Sequence, residues 1–122
     1  MRGKRILVID DDALIRLQVC DVLKGTDPEI ELAEAADGEA GIASLATFEA
    51  DLVLLDLFMP NLSGIETLEF IRARPNPPTV VIMSSLDSDS MKETLLSAGA
   101  AGFIPKPFHP LELAEAVRRH LQ

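Results

Sequence analysis

Residues 51–56 read DLVLLD, an unbroken apolar run closed at each end by aspartate. The run is short for a helix and shows no polar alternation. Such runs suit a strand covered on both faces, as in a parallel sheet. Residues 5–10 (RILVID) and 79–84 (TVVIMS) have the same character, and residues 29–33 and 102–105 are weaker strand candidates. Between them lie segments with helical spacing. Leu14, Leu17 and Val22 fall roughly on one face of the first, Ile65, Leu68 and Ile71 mark the third, and Leu111, Ala114, Val117 and Leu121 the last. Start signals agree: Ser63 before the third helix, Ser90-x-x-Glu93 as a capping box for the fourth, and Pro110 in the first turn of the fifth. Five β–α repeats call for parallel strands joined by right-handed crossovers, with helices on both faces of an open sheet. The expected fold is therefore α/β and doubly wound.

With 122 residues, the chain is expected to form one domain over 1–122. The densest proline stretch, Pro75-Asn76-Pro77-Pro78, reads as a loop between a helix and a strand, not as a linker. Apolar residues make up 48% and charged residues 25%, as in ordinary globular proteins. The net charge of −9 repels nucleic acid and anionic lipid. The one basic pair, Arg118-Arg119, lies near the end of the last helix, so direct nucleic-acid binding is not expected. A single cysteine, Cys20, rules out an intrachain disulfide and reads as a small packing residue. The N-terminus has only a short apolar run before its aspartates, so no membrane span and no signal peptide are expected, and the default location is the cytoplasm.

The three strongest strands each end in polar groups: the first runs into Asp10-Asp11-Asp12, the third ends at Asp56 and the fourth at Ser84-Ser85. The weaker fifth ends at Lys106. In a parallel sheet these ends converge on one edge, where doubly wound folds bind their ligands. Clustered carboxylates repel one another and raise each other's pKa. One lysine is too little to offset them, so a divalent cation is the natural remainder. Oxygen ligands without a His–Cys cluster favour Mg²⁺, with Mn²⁺ as the alternative. Mg²⁺, a lysine and a hydroxyl suit the oxygens of a phosphoryl group. A facing carboxylate can then act as nucleophile, and Asp56, rigidly placed at the end of an apolar strand, is the best candidate.

At these residues the sequence resembles the receiver domain of bacterial two-component response regulators. The resemblance rests on RILVIDDD (5–12), DLVLLDLFMP with Gly64 (51–64), VVIMSS (80–85) and AGFIPKPF (101–108), in that order and spacing. It implies a flavodoxin-like sheet of strand order 2-1-3-4-5 with five helices, whose edge position lets the fifth strand tolerate Pro105. It also implies Asp56 as phospho-acceptor, and Asp10 and Asp11 as the acidic pair. Asp11 would be the more direct Mg²⁺ ligand, Asp10 would act partly through water, and the backbone carbonyl of Phe58 would complete the metal site. Ser84 matches the switch hydroxyl, Lys106 the phosphate-binding lysine, Phe103 the aromatic switch, and Lys106-Pro107 the cis peptide bond. A histidine kinase or phosphotransfer protein would supply the phosphoryl group. The surface of the fourth helix, fifth strand and fifth helix would change for a downstream protein, and could also mate two copies as a homodimer. The domain would be a signalling module, not an enzyme, beyond promoting its own phosphoryl transfer.

In that family the positions two beyond the acceptor and two beyond the switch hydroxyl influence hydrolysis. Here they are Phe58 and Leu86, neither of which can orient a water, so slow self-dephosphorylation is expected. Asp12 is expected to cap the first helix, Met59-Pro60 to serve loop geometry, and His109 and His120 to be solvated, with His120 favoured by the helix C-terminal dipole. Three rivals are weaker. Asp10-x-Asp12 resembles the motif of haloacid-dehalogenase phosphatases, but Ala13-Leu14 follows where that motif has Thr or Val. A receiver-like module without phosphorylation would lack one of the site residues present here. A flavin-binding protein would carry a Ser, Thr or Gly loop where this chain has aspartates.

Overall fold

A computed structural model describes residues 4–59, 62–85 and 88–121. Elements run β1 (Arg5–Ile9), α1 (Ala13–Thr26), β2 (Glu31–Ala35), α2 (Gly38–Ser44), β3 (Leu52–Asp56), α3 (Gly64–Arg72), β4 (Thr79–Ser84), α4 (Asp89–Ser97), β5 (Gly102–Pro105) and α5 (Pro110–Leu121). The five strands are all parallel, in the order β2-β1-β3-β4-β5.

The continuous apolar runs are explained by two cores, one on each side of the sheet. Ile6, Val8, Leu52, Leu54, Val81, Met83 and Ile104 face α1 and α5, where Val19, Leu23, Leu113, Ala116 and Val117 meet them. Leu7, Ile9, Val53, Leu55, Val80 and Ile82 face the other way, toward Leu68 and Ile71 of α3 and Leu95 of α4. Alternate side chains serve opposite cores, so no position in the central strands can be polar until the strand ends.

Several local expectations shift. β2 begins at Glu31, two residues later than the sequence suggests, because residues 27–30 form a turn. In that turn Glu29 N–H donates to the Asp27 carboxylate and Ile30 N–H to the Asp27 carbonyl. The α1 helix buries Val19 and Leu23, with Ile15 and Val22 partly covered, and leaves Leu14 and Leu17 exposed. The helix is apolar on more than one side, and the face toward the sheet is set by packing rather than by Leu14 and Leu17. Likewise α5 buries Leu113 with Ala114 and Val117, and exposes Leu111. The fourth helix is capped by Ser88, whose hydroxyl accepts from Met91 N–H, so Ser90 lies inside the first turn and the Ser90–Glu93 box does not form. By contrast Ser63 and Glu66 make a complete capping box at α3.

Candidate functional site

The site is built at the carboxyl edge of the sheet, where β1, β3 and β4 end and β5 runs into Lys106. Past Ile9 the chain leaves β1 with Asp10 N–H still bound to the carbonyl of Ala35, which extends the β1–β2 pairing by one residue. Asp10 is fully buried. Its Oδ1 accepts from Asp12 N–H at 2.9 Å, and Asp12 in turn caps α1 by accepting from the N–H groups of Leu14 and Ile15. Asp11 points out of this tight turn and is exposed. Asp56 closes β3 and is 6% exposed. Carboxylate oxygens of Asp10, Asp11 and Asp56 lie within 4.8 Å of one another.

Lys106 answers this cluster. Its ammonium donates to Asp10 Oδ2 at 2.7 Å and to Asp56 Oδ1 at 3.1 Å. The backbone brings it there: Ser84 pairs with Pro105 across β4 and β5, and Lys106 N–H donates to the Ser84 carbonyl at 2.9 Å. The Lys106–Pro107 peptide bond is cis. Burial, and then the neighbouring Asp10 charge, push the Asp56 carboxyl above the usual carboxylate range; Lys106 and the Phe58 backbone N–H only partly offset them. Burial works to lower the Lys106 ammonium, but its hydrogen bonds and charge attraction to Asp10 and Asp56 win, so its pKa rises. The pocket thus holds three carboxylates against one ammonium, with hard oxygen donors and one open, exposed member. That donor set fits a divalent cation of the Mg²⁺ type.

Ser84 and Phe103 sit on the far side of the pocket, toward α4. Ser84 ends β4 with 9% exposure, and both residues line a void of only about 10 Å³ together with Leu57, Met91 and Leu95. Phe103 is half-buried, with the Lys92 ammonium 6.0 Å from its ring centre. The side chain of Phe58, just past the end of β3, is 60% exposed. Leu86 and Pro60 lie outside the described residues. Gly64 packs tightly against the end of β3: a Cβ there would fall 2.6–2.7 Å from the backbone of Asp56 and Leu57. A cleft of about 480 Å³ near Asp51, Arg74 and Asn76 contains none of the candidate site residues.

Three further residues take roles that the sequence does not announce. His120 is not a solvated helix-end cation. Its ring packs on β5, so that a Cβ at Gly102 would lie 2.8 Å from Nε2, and burial together with Arg119 lowers its pKa. His109 is exposed as expected but caps α5, its Nδ1 accepting from Leu111 N–H at 3.1 Å while its own backbone N–H donates to Glu112. Arg16 gives no signal in the sequence, since a helix-surface arginine is ordinary. Yet its side chain is only 17% exposed, and it donates to the Asp10 carbonyl at 2.6 Å.

A five-stranded doubly wound sheet of this order, with an acidic pocket and a lysine at its carboxyl edge, is suited to a class of signalling domains that respond to phosphorylation. Comparison with known proteins agrees. Residues 6–118 match the response regulator receiver domain, and the chain belongs to that family. It is 40% identical over 110 residues to a protein-glutamate methylesterase/protein-glutamine glutaminase of Nocardioides, covering 88% of this chain and 30% of that protein. It is 30% identical over 118 residues to chemotaxis protein CheY of Thermotoga maritima, covering 96% of this chain and 97% of that one. The chain therefore spans about a third of the methylesterase relatives. The solved structure of chemotaxis response regulator CheY4 of Vibrio cholerae superposes with a TM-score of 0.89 at 27% identity, over 98% of this chain and 99% of that one. The chain is thus a receiver domain of the kind used in two-component signalling. No described helix is long and apolar enough to cross a membrane.

Proposed function

We propose that Asp56 is the phospho-acceptor of this receiver domain, and that residues 1–122 act as one unit around it. The observation that carries this is the Lys106 ammonium held between Asp10 and Asp56, with Asp11 open at the mouth. A histidine kinase or histidine phosphotransfer protein presents phosphohistidine. An Asp56 carboxylate oxygen attacks the phosphorus; the O–P bond forms, the P–N bond breaks, and the electron pair and a proton return to the imidazole. Lys106 exchanges part of its contact with the carboxylates for the incoming phosphoryl oxygens. Asp10, Asp11, Asp56 and the Phe58 carbonyl would hold Mg²⁺ or Mn²⁺, which supplies the charge that lets a phosphoryl group approach an acidic pocket. Leu14 and Leu17, exposed in the first turns of α1 just after the acidic loop, offer the phosphodonor an apolar footing.

The response follows from the void beside Ser84. Ser84 turns toward the phosphoryl group, Phe103 follows into the space, and the surface of α4, β5 and α5 is presented to a downstream protein or to a second copy of the chain. This is a shift between two populated states. The net charge of −9 argues against nucleic acid as a direct partner and the composition suits the cytoplasm. The test treats the wild type and Asp56→Asn with acetyl phosphate and Mg²⁺ and reads intact mass. Phosphorylation of the wild type alone supports the assignment, and equal labelling of both rejects it.

A further inference from the structure

Among the described residues, Arg16 is a half-buried cation beside the site that the phosphotransfer scheme does not use. Its Nη1 donates to the carbonyl of Asp10 at 2.6 Å, and its Nε to Glu34 Oε1 at 3.0 Å. The guanidinium therefore spans three elements: α1, which carries it, the loop leaving β1, and the β2 strand that bears Glu34. The bonded carbonyl belongs to the peptide that joins Asp10 to Asp11. Fixing that peptide plane fixes the direction in which Asp11 leaves the chain. The other groups of Asp10 are also committed: its N–H to Ala35, its Oδ1 to Asp12 and its Oδ2 to Lys106. Asp11, exposed, follows the carbonyl that Arg16 bonds, and one of its carboxylate oxygens lies within 4.8 Å of those of Asp10 and Asp56.

We propose that Arg16 is a positioning residue for the metal site, holding the Asp10–Asp11 peptide against Glu34 so that the Asp11 carboxylate faces Asp56, and thereby setting the affinity for Mg²⁺. The inference rests on the metal reading given above. Groups that orient a metal ligand from behind commonly change affinity by about 10–100-fold when removed. The sign of the effect makes the idea testable. Electrostatics alone predicts that deleting a positive charge beside carboxylates tightens cation binding. Positioning predicts the opposite.

The experiment is a calorimetric Mg²⁺ titration of the full chain, with melting temperatures in EDTA measured alongside, for the wild type, Arg16→Gln, Arg16→Lys and Asp11→Asn. Arg16→Gln is expected to weaken Mg²⁺ about tenfold. Arg16→Lys keeps the charge but loses the fork; it should weaken binding less and melt close to the wild type. Unchanged or tighter binding by Arg16→Gln, even with a lowered melting temperature, would make Arg16 merely structural and overturn the proposal. If Arg16→Gln does not fold, wild-type affinity in Arg16→Lys overturns it instead. A wild type that does not bind Mg²⁺, or an Asp11→Asn that binds equally well, brings down the metal reading itself and this inference with it.

Discussion

Replacing Lys106 by methionine probes the pocket's charge balance. The substitution keeps the stem and removes the ammonium. It leaves Asp10, with no exposed surface, and Asp56, with 8% of its side chain exposed, facing each other without their shared donor. Removing one partner of a buried ion pair costs about 3–5 kcal/mol. Lys106 keeps 18% of its side chain exposed, so solvent softens the loss, and a cost of about 2–3 kcal/mol is expected at neutral pH. For a domain of this size that lowers the melting temperature by roughly 10 °C. The pH dependence has a definite sign. The folded Lys106 pKa is raised, so its contribution is complete below the ordinary lysine value and fades only as pH rises through the folded one. At the acid end the partners titrate: as pH falls through the carboxylate range, protonation relieves the uncompensated charge and the deficit narrows. Mg²⁺ should recover much of the loss, because the variant has no ammonium competing for the carboxylates. Urea melts of both proteins in EDTA and in Mg²⁺, from acid to neutral pH, measure all three effects. A deficit under about 0.5 kcal/mol, or one that ignores pH, would refute the view that Lys106 neutralises a buried acidic pair.

Further outcomes follow from the same geometry. Because the folded Asp56 pKa is raised, the group favours the folded state at low pH and costs stability as pH rises through the folded value; Asp56→Asn in EDTA should therefore melt above the wild type at neutral pH, with the gain vanishing in acid. His120 is shifted the other way: its contribution is present above about pH 6.5 and is lost as pH falls toward the lowered folded value, so His120→Gln should flatten the stability profile below that point. Gly64→Ala puts a Cβ against backbone that cannot step aside, which should cost about 2 kcal/mol or more in urea melts and slow labelling by acetyl phosphate. Phe58 offers no group to align a water, so the aspartyl phosphate should outlast a timescale of seconds in purified protein, and Phe58→Asn should shorten its lifetime several-fold by phosphate-release assay.

Most of the fold is legible in the sequence because burial on both faces leaves a plain imprint: 52–55 and 80–83 read as strands between two cores, and the polar residues that end them mark one edge. Phase and ends are harder to read. Residues 14–23 contain enough apolar side chains to define two faces of α1, and only packing into the core shared with the sheet and α5 selects Val19 and Leu23 over Leu14 and Leu17. Start signals are ambiguous where serines cluster, so Ser88 rather than Ser90 caps α4. The carboxylates and the lysine of the site are legible because charged side chains directly at the ends of apolar strands are costly there unless they answer one another or a ligand. Arg16 is not legible, since its role depends on a backbone carbonyl and on Glu34, 18 positions away. His120 misleads because proximity to a helix C-terminus says nothing about a neighbouring strand's glycine.

The decisive measurement locates the phosphoryl group. After reaction with acetyl phosphate and Mg²⁺, borohydride converts an acyl phosphate to an alcohol, and fragment mass spectrometry then reads which aspartate has become homoserine. Conversion at position 56 alone is the expected result. Conversion at position 10, 11 or 12, or none while phosphate is bound elsewhere, would contradict the account.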